Sequence, residues 1–183
     1  DHPAPSDYRA EGLPMLAVFA GLQDWDGLFQ FDYGSTPTDW SQARLQGYFT
    51  MVTDPAVVAF APVAANLFRR GDVRAATGLA KLRVPEGQVE ALVAEARGDF
   101  HGLWEKAGLP RWASVHQRIA LEWTKSGEVR GDKLDVAEDQ QFASDTREIR
   151  WGEVAPEHKA SLVDAPKTKL AAGRLADQTL PWG

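Results

Sequence analysis

Apolar side chains in the first 70 residues fall into three blocks with different spacing. Leu13, Leu16, Val18, Phe19 and Leu22, joined by Met15, recur at helical intervals and predict a helix over about Tyr8–Leu22. Ser6 or Asp7 is placed to cap it, and Pro14 should kink it or delay its regular part. Leu28 to Phe31 form an unbroken run of large side chains without helical period, between acid-rich turns at Asp24–Gly27 and Asp32–Gly34. Such a run predicts a strand buried on both faces. Val58, Ala61, Ala64, Ala65 and Phe68 return to helical spacing. Thr53-Asp54-Pro55 opens that helix, Pro62 should bend it, and Arg69-Arg70-Gly71 closes it with cations at its negative end and a glycine stop. Ser35 to Gly47 is a long polar stretch, and Trp40 is its one large apolar residue.

The pattern changes after Gly71. Thr77 to Pro85 holds one short strand, Val89 to Ala96 a short helix, and Asp99 to Ala107 another. Strand-like patches follow at Ile119–Trp123, Glu148–Trp151, Ala160–Val163 and Lys169–Gly173, each bounded by turn-prone or charged residues. The reading is α/β over residues 1–75, then a mixed linker and a β-rich domain over 76–183, with the boundary near residues 71–80. A parallel strand needs neighbours on both edges, and residues 1–70 supply none for Leu28–Phe31.

Composition narrows the function classes. A net charge of -6 argues against a nucleic-acid surface, which needs clustered Lys and Arg. The absence of cysteine removes disulfides, thiolate zinc sites and a cysteine nucleophile. No run is long and apolar enough for a membrane span. The 7 Trp suit core packing first and stacking on sugar rings second. Asp1-His2-Pro3 lacks a start methionine and a signal core, so the chain reads as processed or cut from something longer.

Several segments together carry a family resemblance: His2-Pro3-Ala4-Pro5-Ser6-Asp7-Tyr8, Leu22-Gln23-Asp24-Trp25-Asp26-Gly27 and Phe31-Asp32-Tyr33, then Ser144-Asp145-Thr146, Ile149-Arg150-Trp151 and Val163-Asp164-Ala165-Pro166-Lys167-Thr168. The chain resembles the C-terminal part of a bacterial retaining glycoside hydrolase, of the cellulase-like and β-galactosidase-like (β/α)8-barrel clan. The resemblance implies the last βα units of an incomplete (β/α)8 barrel, namely its seventh helix, eighth strand and eighth helix, followed by a small β-sandwich-like domain. The remainder of the barrel would then lie elsewhere on the parent chain. Two departures stand out: Arg147 occupies a position where the pattern has Gly, and Ala165 one where it has Thr. The nucleophile Glu would fall immediately before Asp1 and the acid/base Glu far upstream. Retaining chemistry needs two carboxyl groups roughly 5 Å apart, so this polypeptide alone should not hydrolyse glycosides.

In that frame Asp32, Tyr33 and Trp40, together with His2 and Asp7, are the candidate substrate-binding residues, on the barrel's active face. Carboxylates accept from sugar hydroxyls, phenols do both, and an indole offers a stacking face. For Asp7 a helix cap is the stronger reading, and His2 in the isolated chain reads first as a group tied to its own loop. Trp25 and Asp26 fall on the opposite, stability face. His101, His116 and His158 lack metal spacing, and Asp132, Asp135, Glu138 and Asp139 lack the glycine and closing Glu of a calcium loop. Ser114 and His116 are too close along the chain to form a hydrolytic pair. No cofactor is expected. The expected function is hydrolysis of β-linked glycans or galactosides by a secreted or periplasmic parent enzyme, with carbohydrate as the partner and neither nucleic acid nor membrane. The alternative is a non-catalytic β-sandwich module that binds a glycan or a partner domain.

Overall fold

The computed structural model describes residues 9–34, 37–96, 104–151, 153–155 and 158–175. A single 3-10 turn, Arg9–Glu11, leads into helix α1, Gly12–Gln23. Pro14 is the third residue of α1, where the backbone N–H has no intrahelical acceptor, so the ring costs no hydrogen bond there. Asp24 ends the helix in the left-handed region at φ 61°, and the N–H of Trp25 returns to the Ala20 carbonyl. Helix α2 spans Pro55–Arg69 and runs through Pro62. Asp54 caps it, its carboxylate accepting from the N–H groups of Ala56 (3.1 Å) and Val57 (3.4 Å). Gly71 follows at φ 58°, a backbone conformation that glycine adopts without strain.

The predicted strand at Leu28–Phe31 is not formed. These residues have no regular structure, and Phe29 and Phe31 are 93% and 75% exposed. A four-residue apolar run has no period of its own, and among the described residues no strand pairs with it. The barrel expectation therefore fails, and so does the β-sandwich. The protein is a small mixed α/β structure with two small sheets.

The first sheet contains the parallel pairing, and it lies outside residues 1–75. Strand β1, Leu79–Pro85, is central; β2, Arg118–Thr124, pairs with it in parallel over seven residues from Leu79↔Arg118 to Pro85↔Thr124. The crossover between them carries helices α3, Val89–Ala96, and α4, Ala113–His116. A short β3, Arg130–Gly131, runs antiparallel on the other edge of β1. Ala80, Leu82 and Val84 alternate inward and pack with Ala107, Leu109, Val89, Leu92 and Trp104. Lys81 and Arg83 point to the other face. There Glu122 pairs with both, and Asp132 accepts from the Lys81 N–H and pairs with Arg83. Asp132 is thus a structural acid, its carboxyl held below the ordinary value of 3.8 chiefly by the Arg83 hydrogen bond. Gly131 is required by close approach, since a Cβ there would lie 2.2 Å from Leu109 Cγ.

The second sheet is an antiparallel meander. Strand β6, His158–Asp164, is central; β7, Lys169–Leu175, lies on one edge, and β4, Ile149–Arg150, and β5, Glu153–Ala155, share the other. Ile149, Val163 and Ala165 bury into one cluster with Ala17, Val18 and Leu22 of α1, Ala64 and Leu67 of α2, and Val73 and Ala76. The core thus joins residues on both sides of the expected boundary. The residues 99–103 of one expected helix lie outside the described residues, while 104–106 are helical.

The segment read as a linker is the point where the C-terminal motifs dock. Glu148, 4% exposed, accepts from the Arg74 N–H (2.9 Å) and from its guanidinium. Asp145 Oδ2 accepts from Gly78 N (2.6 Å) and the Thr77 hydroxyl (2.7 Å). The Thr168 hydroxyl donates to Asp72, which also pairs with Arg70. Buried Ser144 accepts from the Ile149 N–H (3.1 Å), and Trp151 donates its indole N–H to the Val115 carbonyl (2.8 Å) while its ring packs edge-on to Phe19. Gln23 fastens α1 to β2 in the same manner, donating to the carbonyls of Ser114 and Gln117 and accepting from Ile119 N. Within the two motif-like stretches Asp145, Glu148 and Thr168 are clamps on residues 72–78, and Trp151 fastens to Val115.

Candidate functional site

Between α1 and α2 the described residues form no helix or strand, and they carry most of the exposed aromatic surface found among the described residues. This segment is ordered by its own polar groups. The carbonyls of Asp32 and Tyr33 accept from the N–H groups of Met51 (3.2 Å) and Val52 (2.9 Å), and Asp32 Oδ2 accepts from the Thr50 hydroxyl (2.8 Å). Asp39 holds a tight turn, accepting from the Ser41 hydroxyl, the Ser41 N–H and the Gln42 amide. Those bonds, the Ser41 hydroxyl foremost, keep its carboxyl below the usual value. Gln46 closes the loop, donating to the Asp39 carbonyl (2.7 Å) and accepting from the Asp39 N–H (2.9 Å). At the far end Asp54 pairs with Arg9 while capping α2.

Two clefts flank residues 44–53. The smaller, about 320 Å³, lies against the start of α1 and is lined by Arg9, Gln30, Tyr48, Phe49, Thr50 and Asp54, with Met15 and Met51 at its base. The larger, about 780 Å³, is lined by Trp40, Gln42, Arg44, Gln46, Val52 and Thr53. Both fall in the size range of small-ligand sites. Phe31, Phe49 and Tyr48 form a chain of edge-on rings, with centroids 5.4 Å apart for Phe31–Phe49 and 4.7 Å for Tyr48–Phe49. Those contacts leave faces open: Tyr48 is 61% exposed, Tyr33 64% and Trp40 74%. Aromatic faces beside side-chain amides, hydroxyls and carboxylates can stack on an apolar ring face while exchanging hydrogen bonds with its hydroxyls.

Of the residues singled out from sequence, Asp32 and Tyr33 lie on this segment, Asp32 half-buried and Tyr33 exposed. Trp40 lines the larger cleft. Val52 stands between them: its N–H bonds Tyr33, and its side chain lines the Trp40 cleft. His2 and Asp7 lie outside the described residues. The residues missed were Tyr48, Phe49, Gln30, Gln46 and Arg9. The adjacent Tyr48-Phe49 pair at the end of a polar loop was a usable signal, because two aromatics in a segment with no apolar period have no core to enter. Trp25, assigned to an opposite barrel face, sits edge-on to Phe19 at 5.4 Å and is 45% exposed.

Among the described residues, no group of three or more His, Asp or Glu side chains could hold a metal ion, and no helix is long and apolar enough to cross a membrane. No protein-family model matches the chain, and neither the curated proteins nor the solved structures contain a match.

Proposed function

We propose that this chain binds glycan on behalf of a glycoside hydrolase that cleaves β-linked glycans or galactosides with retention. The two catalytic glutamates are not among its residues; its share of the work is to hold the sugar. The supporting observation is the ordered segment between α1 and α2, which exposes Tyr33, Trp40 and Tyr48 next to Asp32, Gln30, Gln42 and Gln46. Large exposed aromatic faces are costly in water, and a surface that keeps several of them beside hydrogen-bonding groups suits a ligand with apolar ring faces and peripheral hydroxyls. The hydrolase part of the reading comes from the motif resemblance.

Titration with soluble β-linked gluco- and galacto-oligosaccharides tests the binding. Saturable binding that weakens on Trp40→Ala, with unfolding unchanged, supports the reading; no binding to any of them refutes it. The hydrolase part is tested separately by the coding sequence before Asp1, which must specify a Glu there.

A second reading is that the same surface docks a protein domain. The observation that favours it is that apolar exposure continues onto α2, where Phe60 is 38% and Val63 41% exposed. Under this reading Phe60→Ser weakens association with the parent protein's remaining domains and leaves sugar titrations unchanged.

A further inference from the structure

We propose that a third cleft, between α4 and the Ser144–Trp151 turn, is a subsite for an acidic sugar, one that carries a carboxylate or a sulfate; this rests on the glycan-binding reading above. The cleft is about 530 Å³ and is lined by His116, Gln140, Phe142, Arg147, Arg150 and Trp151 among others. Arg9, Arg70, Arg74, Arg83, Arg111 and Arg118 each pair with a carboxylate. Arg147 and Arg150 have no side-chain partner among the described residues, as is also true of Arg44, Arg69 and Arg130, but these two line one cleft together. Two free guanidiniums on one cleft match an oxyanion, which they hold with charge-assisted and often bidentate hydrogen bonds.

The backbone adds a second observation. Arg147 sits at φ 61°, a left-handed conformation that glycine reaches freely and arginine only at a cost. A strained residue with a long cationic side chain on a cleft wall points to a function for that side chain. Arg150 follows on β4, exposed, while its neighbour Ile149 is buried. Two acids, Asp139 and Asp145, line the same cleft, and neither is paired with these arginines. Asp145 Oδ2 is occupied by Thr77 and Gly78, and Asp139, on an exposed 3-10 turn, offers an acceptor for a sugar hydroxyl. His116 serves as wall: its Nδ1 faces the carbonyls of Ala143 (2.7 Å) and Gln140 (3.2 Å), so that nitrogen carries the proton, and its ring packs edge-on to Trp112. Phe142, 57% exposed, supplies an apolar face for the ring that bears the acid.

The test is a calorimetric titration with matched oligosaccharides: neutral, uronate-bearing and sulfated forms of one backbone, with inorganic sulfate as a further probe. The acidic forms should bind about tenfold tighter than the neutral one, an advantage that shrinks in high salt. Arg150→Gln and Arg147→Gly should each remove most of that advantage and leave neutral binding at Trp40 intact. The uronate and sulfate arms decide which acid is preferred. Equal affinity for acidic and neutral forms overturns the proposal, as does an advantage that survives both substitutions or sulfate binding without acidic-sugar binding. If no sugar binds at all, the glycan reading falls with it, whereas loss of the acidic preference alone leaves that reading standing.

Discussion

Replacing Glu148 with alanine tests how the C-terminal sheet is held to the helices. Glu148 is buried, and its two oxygens take the Arg74 backbone N–H at 2.9 Å and the Arg74 guanidinium. The Arg74 side chain is 65% exposed, so the ion pair itself is worth under about 1 kcal/mol after screening by water. The larger part is the backbone N–H, which loses its acceptor next to a packed core; that costs about 1–3 kcal/mol. Truncation of the buried stem adds a small cavity. Glu148→Ala should therefore destabilise by about 2–4 kcal/mol, a large share of the stability of a domain this size. Urea unfolding followed by tryptophan fluorescence reads it as a lower midpoint at unchanged slope. Two controls apportion the effect. Arg74→Ala leaves the backbone N–H and its acceptor in place and should cost under about 1 kcal/mol. Glu148→Gln keeps an acceptor oxygen and should fall between the two. If Arg74→Ala costs as much as Glu148→Ala, or if Glu148→Ala costs less than about 1 kcal/mol, then Glu148 is not the clamp described.

Two further outcomes follow from the same contacts. Arg147→Gly relieves the left-handed backbone strain and should raise the urea midpoint, by about 0.5–1 kcal/mol in stability, while Arg147→Ala should not. Asp72 is depressed below 3.8, first by its hydrogen bond from Arg70 and then by Thr168 and Lys167 against the opposing effect of burial. A depressed folded value means that its contribution is fully present above about pH 4 and is lost as pH falls through the lower folded value. Thermal melts of the parent should drop below pH 4, and Asp72→Asn should flatten that drop while lowering the melting temperature at pH 7.

What could be read from the chain depended on whether the signal was local. Helix α2 announced itself through Asp54-Pro55 at one end and Gly71 at the other, because capping and left-handed turns are set by residues next to the helix. β1, β2, β6 and β7 fell where alternation or turn residues marked them. Pairing was not legible. β1 and β2 lie in parallel register although their residues are far apart in sequence, and nothing in Leu79–Pro85 names Arg118–Thr124 as its neighbour. Leu28–Phe31 misled because a strand needs a hydrogen-bonding neighbour, and among the described residues no strand pairs with this run: Leu28 reaches the core while Phe29 and Phe31 stay exposed. The candidate site divides in the same way. Asp32 and Tyr33 were singled out as the end of a strand that does not form, and Trp40 as the one large apolar residue of a long polar stretch. The return of Tyr48, Phe49 and Thr50 beside them needed the Asp32–Thr50 and Tyr33–Val52 contacts, which close only in three dimensions. The positive φ of Arg147 was not legible from its residue type, since arginine rarely adopts that backbone conformation.

The aromatic segment between the two long helices is proposed to hold sugar. Its most direct test is retention on insoluble β-linked glucan and galactan, comparing the protein with Trp40→Ala at matched folding. Retention on at least one of the two is expected, weakened about tenfold by Trp40→Ala with an unchanged urea midpoint. Failure to bind either polymer, or equal retention of both proteins, would contradict it.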